Sequence, residues 1–251
     1  MAALSGRQHG TSWPIWPASP DSPLTPEEDY IFDIQGWLIV DGVFTDAELV
    51  AASQQDGGQS LLSEHPRVAG YVEELCGPGY RLDSAVEPVP PGRLGPGGGP
   101  ELRGGAVDGE RGLRLRYENR AAVVRAATGG THDISLQAGR ARLCRGLRVV
   151  AALGDCDGDS GLVLSACSHK SSIPAPQQVL DGLEVEGTTT TVQLRKGQLL
   201  VAAATLLAGV RGAPASLLQA EFIAANVTAL GPAKFPTLPP PGELHRPRSA
   251  L

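Results

Sequence analysis

The chain has 251 residues, with 21 lysines and arginines against 27 acidic residues, so its formal net charge is −6 and no basic field favours nucleic acid as a partner. Aromatic residues make up only 4%, whereas 32 glycines and 21 prolines favour many short strands joined by turns over a helical bundle. The four cysteines form no CxxC pair, and no apolar run reaches the roughly 20 residues of a membrane span, which argues against a disulfide framework and a transmembrane segment. We therefore expect an intracellular protein, cytoplasmic or organellar, that is not secreted.

The two ends of the chain are rich in proline. Residues 1–27 are interpreted as a Pro/Ser-rich arm and not as a folded element, and residues 231–251 as an extended tail. Trp13 and Trp16 in the arm and Phe235 in the tail are aromatic side chains that need something to cover them. We expect these three residues to bind other protein subunits, with disordered ends as the open alternative.

The predicted domain covers residues 28–230 and begins with helices. A short helix from Tyr30 ends at Gly36, and the strand "GWLIV" follows it. Thr45 and Glu48 have the spacing of a capping box, which predicts that a helix begins after Thr45. Residues 65–77 predict a further helix that stops at the following Pro-Gly step.

The rest of the domain has the pattern of a β protein. Residues 87–112 are dense in glycine and proline and show no packing period, so they are interpreted as a loop or insertion. Several runs rich in Val, Thr and Leu follow, separated by turn residues, and they predict a sandwich or barrel. These β-like runs are residues 113–119, 120–127, 146–155, 160–166, 188–209 and 216–230.

Four segments of the chain together resemble the phytanoyl-CoA dioxygenase family. They are "FDIQGWLIVDGVFTDAEL" at 32–49, "HPRVAGYVEELCGPGYRLD" at 65–83, "GLRVVAALGDCDGDSGLVLSACSHKSSIPAP" at 146–176 and "VQLRKGQLLVAAATLLAGV" at 192–210. The resemblance implies a mainly β fold with flanking helices, the double-stranded β-helix or jelly-roll, cupin-like barrel. It also implies the chemistry of non-haem iron enzymes that use 2-oxoglutarate.

The metal-binding residues that the resemblance implies are missing from their usual positions. Such enzymes hold Fe(II) with two imidazoles and one carboxylate. The late His-Gly pair is replaced by Ala208-Gly209, and Pro214 and Ala215 stand where an arginine would bind 2-oxoglutarate. The early His-x-Asp motif can be aligned with this sequence at three positions, and the motif is absent at each of them. These three registers of the alignment place Arg103, Thr128 or Thr131 at the histidine.

Histidine is too scarce for the usual site. The five histidines are His9, His65, His132, His169 and His245. The resemblance places His169 in a Ser-His-Lys turn, where we expect a hydrogen-bonded scaffold histidine and not a ligand. Ala166-Cys167 precedes it where the family has Pro-Gly, which suggests that the geometry of this turn matters less here.

Two functions follow from these observations. The first is a catalytically inactive member of the family, with no catalytic residue, no metal and no cofactor, that acts as a structural or interaction subunit of a larger assembly. The alternative is an Fe(II)- and 2-oxoglutarate-dependent dioxygenase with a displaced site built from His132 and Asp133, with Asp108 or Asp155 in support. His132 and Asp133 are adjacent, so on a strand they point to opposite faces unless a bulge intervenes.

Two further features have simpler interpretations. The acidic turn with Asp155, Asp157 and Asp159 could bind a hard cation, but solvated turn carboxylates are the commoner case. The alanine-rich segment "VAAATLLAG" could leave an open cavity for a small molecule, and we expect a well-packed core there instead.

Overall fold

The computed structural model describes residues 15–17, 24–54, 57–77, 79–104, 118–119, 142–171, 173–183, 187–214 and 216–225. The helices are α1 (Pro26–Gln35), α2 (Asp46–Ala52), α3 (Gly57–Ser63), α4 (Pro66–Cys76) and α5 (Gln177–Leu180). The strands are β1 (Ile15–Pro17), β2 (Trp37–Asp41), β3 (Arg81–Leu82), β4 (Glu87–Pro88), β5 (Glu118–Asn119), β6 (Arg142–Leu143), β7 (Gly146–Ala152), β8 (Gly161–Ser165), β9 (Thr189–Val192), β10 (Leu199–Ala203), β11 (Ala208–Arg211) and β12 (Leu217–Ile223). Within these residues, every helix is too short to cross a membrane.

Two sheets form the body of the domain. The larger has the strand order β1-β2-β10-β7-β12-β3, with β4 also paired to β12, and the smaller has the order β11-β8-β9. Apart from the parallel β1–β2 pair, the neighbours in these two sheets are antiparallel. The predicted fold class, a double-stranded β-helix with flanking helices, is confirmed.

The strands of the larger sheet bury both faces because their side chains alternate. On β7, Leu147 and Val149 belong to the core cluster shared with α1, α2 and α4. Val150 and Ala152 point the other way and belong to the cluster shared with β8 and β9. Because both faces of such a strand are buried, its sequence is a nearly continuous apolar run. Residues 146–152 are accordingly apolar apart from Arg148.

The helix that precedes β2 begins earlier than the sequence pattern predicted. Thr25 and Glu28 form a capping box, with the Glu28 amide donating to Thr25 Oγ1 at 3.2 Å and Glu28 Oε2 accepting from the Thr25 amide at 2.7 Å. Pro26 then occupies the first turn, where its missing N–H is harmless. The predicted Thr45–Glu48 box is confirmed at the start of α2.

The N-terminal arm contains a strand, which corrects its interpretation as an unfolded element. Ile15–Pro17 pairs in parallel with β2, with Trp16 opposite Val40. Without β1 the open edge of β2 would leave unpaired backbone groups, and this pairing covers them. Trp13 and Phe235 lie outside the described residues.

The described part of the predicted insertion, residues 87–104, is paired into the barrel and is not a free loop. The Gly92 amide donates a hydrogen bond to Gly212 O at 2.7 Å. Arg103 and Ala208 are joined by two backbone hydrogen bonds. The approach is so close that a Cβ on Gly92 would overlap the Val210 carbonyl, so glycine is required there. The sequence pattern missed this segment because backbone pairing through glycines leaves no apolar period.

Candidate functional site

A cavity of about 340 Å³ lies between the two sheets and is bounded on one side by the 90–103 segment. Its apolar lining comes from β7, β8, β10 and β11 and the turn before β11. These side chains are Val150, Leu162, Leu164, Leu200, Leu206 and Val210. Ala202 and Ala208 also reach it, and their small side chains leave the space open. The expectation of a packed core in this alanine-rich region holds on the face toward the helices, where Val201 and Ala203 are buried, and not on the side of the cavity.

The polar lining consists of five side chains. They are Arg93, Glu101, Arg103, Arg148 and Gln219. The lining residues thus include three arginines and one glutamate, although the chain as a whole is acidic. An apolar cavity with a few convergent polar groups is the usual form of a small-molecule site.

Arg103 lies directly across from Ala208 at the cavity mouth, which we define by Glu101, Arg103 and Ala208. Arg103 N donates to Ala208 O at 2.8 Å, and Ala208 N donates to Arg103 O at 2.9 Å. Residue 103 therefore pairs beside β11. The three registers of the early His-x-Asp motif stay open, since Thr128 and Thr131 lie outside the described residues.

The charges of the polar lining are arranged as two ion pairs. Arg103 Nη2 lies 3.3 Å from Glu101 Oε2, with the side chains 75% and 33% exposed. On the larger sheet, Arg148 donates to Glu221 Oε1 through Nε at 3.2 Å and Nη2 at 3.0 Å, and this pair is half-buried. Arg148 is the one charged residue in the apolar run 146–152. This isolated charge could have marked it as a site residue, but it was not singled out from the sequence.

The described residues at the mouth do not fit ferrous iron. Ala208 has no donor atom, and Arg103 is permanently protonated, so it repels a cation and offers no lone pair. Among the described lining residues, Glu101 is the one whose side chain belongs to a type that binds metal ions in proteins. Across the described ranges, no group of three or more His, Cys, Asp or Glu side chains could hold a metal ion. Donors for iron would have to include residues beyond the described ones, where His132, Asp133 and Asp108 lie.

The predicted scaffold role of His169 is confirmed. His169 is fully buried and its Nε2 lies 3.1 Å from Asp33 O, so the Nε2–H tautomer donates to the end of α1. Burial and the neighbouring Lys170 lower the pKa of His169 to about 4, so the imidazole is neutral. Lys170 Nζ also donates to Asp33 O, at 2.6 Å. A helix C-terminus with orphan carbonyls and a partial negative charge is suited to these donors.

Cys167 contradicts the suggestion that the 165–171 turn has relaxed. It has φ +64°, the left-handed conformation that the glycine of the family pattern would adopt easily. Its Sγ lies 3.1 Å from Ile34 O, so the thiol also donates to the end of α1. The turn geometry is retained despite the side chain.

The acidic turn between β7 and β8 behaves as a turn. Asp155 Oδ1 accepts from the Lys196 amide at 2.8 Å, and the Asp157 carbonyl accepts from the amide and the hydroxyl of Ser160. Asp155 therefore ties two loops together and does not reach the cavity lining. This agrees with the simpler interpretation of these carboxylates.

Comparison with solved structures supports the fold. The HygX protein of Streptomyces hygroscopicus without ligand matches with a TM-score of 0.58 and 19% identity, covering 81% of this chain and 88% of HygX. Its iron-bound structure matches with a TM-score of 0.59 and 20% identity over the same shares. Its structure with nickel and 2-oxoglutarate gives 0.56 and 18%, again over the same shares. No family model matches the sequence, and no curated protein matches it.

These matches correct the expectation that no cofactor is involved. The structurally similar HygX was solved with iron bound and with nickel and 2-oxoglutarate bound. An expectation of no cofactor, drawn only from missing sequence motifs, is therefore wrong. The chain shares its double-stranded β-helix fold with HygX.

Proposed function

We propose that this protein is an iron- and 2-oxoglutarate-dependent oxygenase whose metal-binding residues have moved from their usual positions. The observation that carries the proposal is the open cavity of about 340 Å³ between the two sheets of this fold. HygX, which has a similar fold, holds nickel and 2-oxoglutarate. Assignment to the phytanoyl-CoA dioxygenase family is part of the same proposal and rests on the sequence segments at 32–49, 65–83, 146–176 and 192–210.

The polar lining supplies groups that bind the carboxylates of 2-oxoglutarate. A guanidinium matches a carboxylate in shape and charge, and Arg93, Arg103 and Arg148 all line the cavity. They take over the role of the arginine that the sequence lacks at Pro214 and Ala215. The apolar lining limits the water around a bound molecule and strengthens these interactions.

Iron, when bound, supplies the oxygen chemistry of this class. Its ligands in our proposal include His132 and Asp133, and Glu101 is the one carboxylate residue among the described lining residues. Imidazole and carboxylate are the donor types that non-haem iron takes. We propose His132 and Asp133 because their side chains are of the types that bind iron and because the chain has few histidines.

Anaerobic titration tests the proposed function. Adding Fe(II) and then 2-oxoglutarate to the full chain is expected to produce a visible metal-to-ligand charge-transfer band. The His132→Ala variant is expected to lose the band, whereas His245→Ala, in the tail, retains it. A wild-type protein that gives no band at saturating concentrations of both would refute the proposal.

A second candidate function is a catalytically inactive interaction subunit. One observation favours it: the mouth has Ala208 and Arg103 where an iron site needs donor atoms. Its proposed contacts are Trp13 and Trp16 in the arm and Phe235 in the tail. The candidate predicts that the native protein is recovered with other chains and that Trp13→Ala with Phe235→Ala abolishes this. Recovery only as a monomer would exclude it.

A further inference from the structure

We propose that the cavity binds a short dicarboxylate without a metal ion, through its guanidinium groups, so that it selects for carboxylates and not for a 2-oxo group. The inference uses the cavity of the proposed function and follows from the poor fit of the mouth to iron. It deepens the proposed function because it states what the polar lining recognises.

Arg103 places a guanidinium group at the cavity mouth. Its backbone is fixed by two hydrogen bonds to Ala208, at 2.8 and 2.9 Å, so the base of the side chain is held at the mouth. The side chain itself is 75% exposed and lines the cavity. A guanidinium at the mouth contributes positive charge that does not depend on a bound metal ion.

The internal partner of Arg103 is weak and can be displaced. Arg103 meets Glu101 through one nitrogen at 3.3 Å, and both side chains are reached by solvent. Exposed ion pairs of this kind contribute little, because water and salt compete with them. A ligand carboxylate that accepts two parallel N–H groups makes the stronger, charge-assisted arrangement.

Two further guanidinium groups can serve a second carboxylate. Arg93 is exposed and lies beside Glu101, whose amide donates to Arg93 O at 2.8 Å. Arg148 is on β7 and is held in place by Glu221. Counted with Glu221, the partner of Arg148, these groups carry three positive and two negative charges, so the cavity is net positive in a chain of net charge −6.

Recognition by guanidinium groups predicts that the ligand does not need a 2-oxo group. A metal chelates 2-oxoglutarate through lone pairs of the 1-carboxylate and the 2-oxo oxygen. A guanidinium has five N–H donors and no coordination site, so the carboxylates dominate the interaction. Glutarate, which has the same chain length and both carboxylates but no 2-oxo group, is therefore expected to bind about as well.

Calorimetric titration of the chelator-treated full chain tests the inference. We expect 2-oxoglutarate and glutarate to bind with affinities within about threefold of each other in the absence of metal. Arg103→Gln should weaken both about 10- to 100-fold, the effect of losing a charged hydrogen-bonding group. Arg103→Lys, which keeps the charge without the fork, should fall between. Arg195→Gln removes an exposed guanidinium outside the cavity lining and should leave both affinities unchanged.

A second variant uses the competing carboxylate. Glu101→Gln should strengthen metal-free binding about two- to fivefold, because it removes the weak ion pair that the ligand must displace. Loss of binding in Glu101→Gln would contradict this competition. Thermal unfolding of each variant shows whether a lost affinity reflects a lost fold.

The outcomes separate this inference from the proposed function. Binding of 2-oxoglutarate only after Fe(II) is added, with no binding of glutarate, overturns the inference and leaves the oxygenase proposal standing. Metal-free binding of both ligands, without any charge-transfer band on adding Fe(II), supports the inference and refutes the oxygenase. No binding of either ligand in the absence of metal, or binding that Arg103→Gln leaves unchanged, overturns the inference.

Discussion

The 165–171 turn and the cavity mouth differ in what each has kept of the family pattern. In the turn, Cys167 and His169 still donate to the end of α1, even though a cysteine has replaced the expected glycine. At the mouth, the backbone pairing of Arg103 with Ala208 is present, but both side chains are unlike those of an iron site. The fully buried His169 constrains the turn whatever the barrel binds, whereas the exposed Arg103 can change with little loss of stability.

The largest effect is expected where the turn packs on the end of α1. A Cβ on Gly36 would lie 2.5 Å from Nδ1 of the buried His169, and Gly36 also has φ +91°. Gly36→Ala should lower the free energy of unfolding by about 2–4 kcal/mol, the sum of backbone strain and overpacking. Chemical denaturation measures this loss.

Gly42 provides the matched control for that substitution. It has φ +64° but no atom within 4 Å of a Cβ. Gly42→Ala should therefore cost only the backbone strain, about 1–2 kcal/mol. Equal losses in the two variants would mean that the approach of His169 to Gly36 does not matter.

A smaller effect concerns pH. The pKa of His169 is about 4 in the folded chain, below its ordinary value of 6.5, so between these values the unfolded chain binds a proton that the folded chain does not. The free energy of unfolding should then fall by up to about 3 kcal/mol as the pH drops from 6.5 to 4, with no contribution from this group above 6.5.

His169→Gln isolates this titration. The glutamine amide can replace Nε2 as the donor to Asp33 O, and it does not titrate. The difference between the two pH profiles also cancels the opposing slope of Glu28, whose pKa is raised by burial. Parallel profiles for the wild type and the variant would show that His169 has an ordinary pKa.

At the mouth, Ala208→His tests whether one imidazole restores metal affinity. The new side chain would stand at the mouth beside Glu101, giving two donors of the types that iron takes. We expect Fe(II) to bind at least about tenfold more tightly, which is about 1.4 kcal/mol. Ala208→Asn adds a polar group without an imidazole and should show no such gain. A gain of similar size in both variants would argue against a vacated ligand position.

The smallest effect is expected at Cys167. Replacing it with glycine relieves the left-handed strain of φ +64° but loses the weak thiol hydrogen bond to Ile34 O. Cys167→Gly should stabilise the protein by less than about 1 kcal/mol. Cys167→Ala keeps the strain and loses the bond, so it should be less stable than the wild type. The reverse order in thermal unfolding would contradict the retained turn geometry.

The sequence predicted those parts of the molecule whose packing has a period. The apolar runs that became β7, β8 and β10 and the Thr45–Glu48 box could be identified because side chains decide them. The pairing of residues 87–104 could not, because backbone groups and glycines make it. The sequence allowed a cavity at the alanine-rich segment but could not decide for it, since alanines in a strand do not reveal whether larger neighbours fill the space beside them.

The candidate site was predictable only in part. The missing imidazole at Ala208 could be read from the sequence segment around it. The guanidinium groups of Arg93 and Arg148 could not be assigned to the cavity, because they come from a glycine-rich segment and from a different sheet. Convergence of residues far apart in the chain is a property of the fold and leaves no local pattern.

The most direct test of the account is an anomalous-difference map from crystals grown anaerobically with Fe(II) and 2-oxoglutarate. We predict one iron peak at the cavity, bound by His132 and Asp133, with a carboxylate of 2-oxoglutarate on the guanidinium of Arg103. An iron peak outside the cavity, or a filled 2-oxoglutarate site with no carboxylate on Arg103, would contradict it.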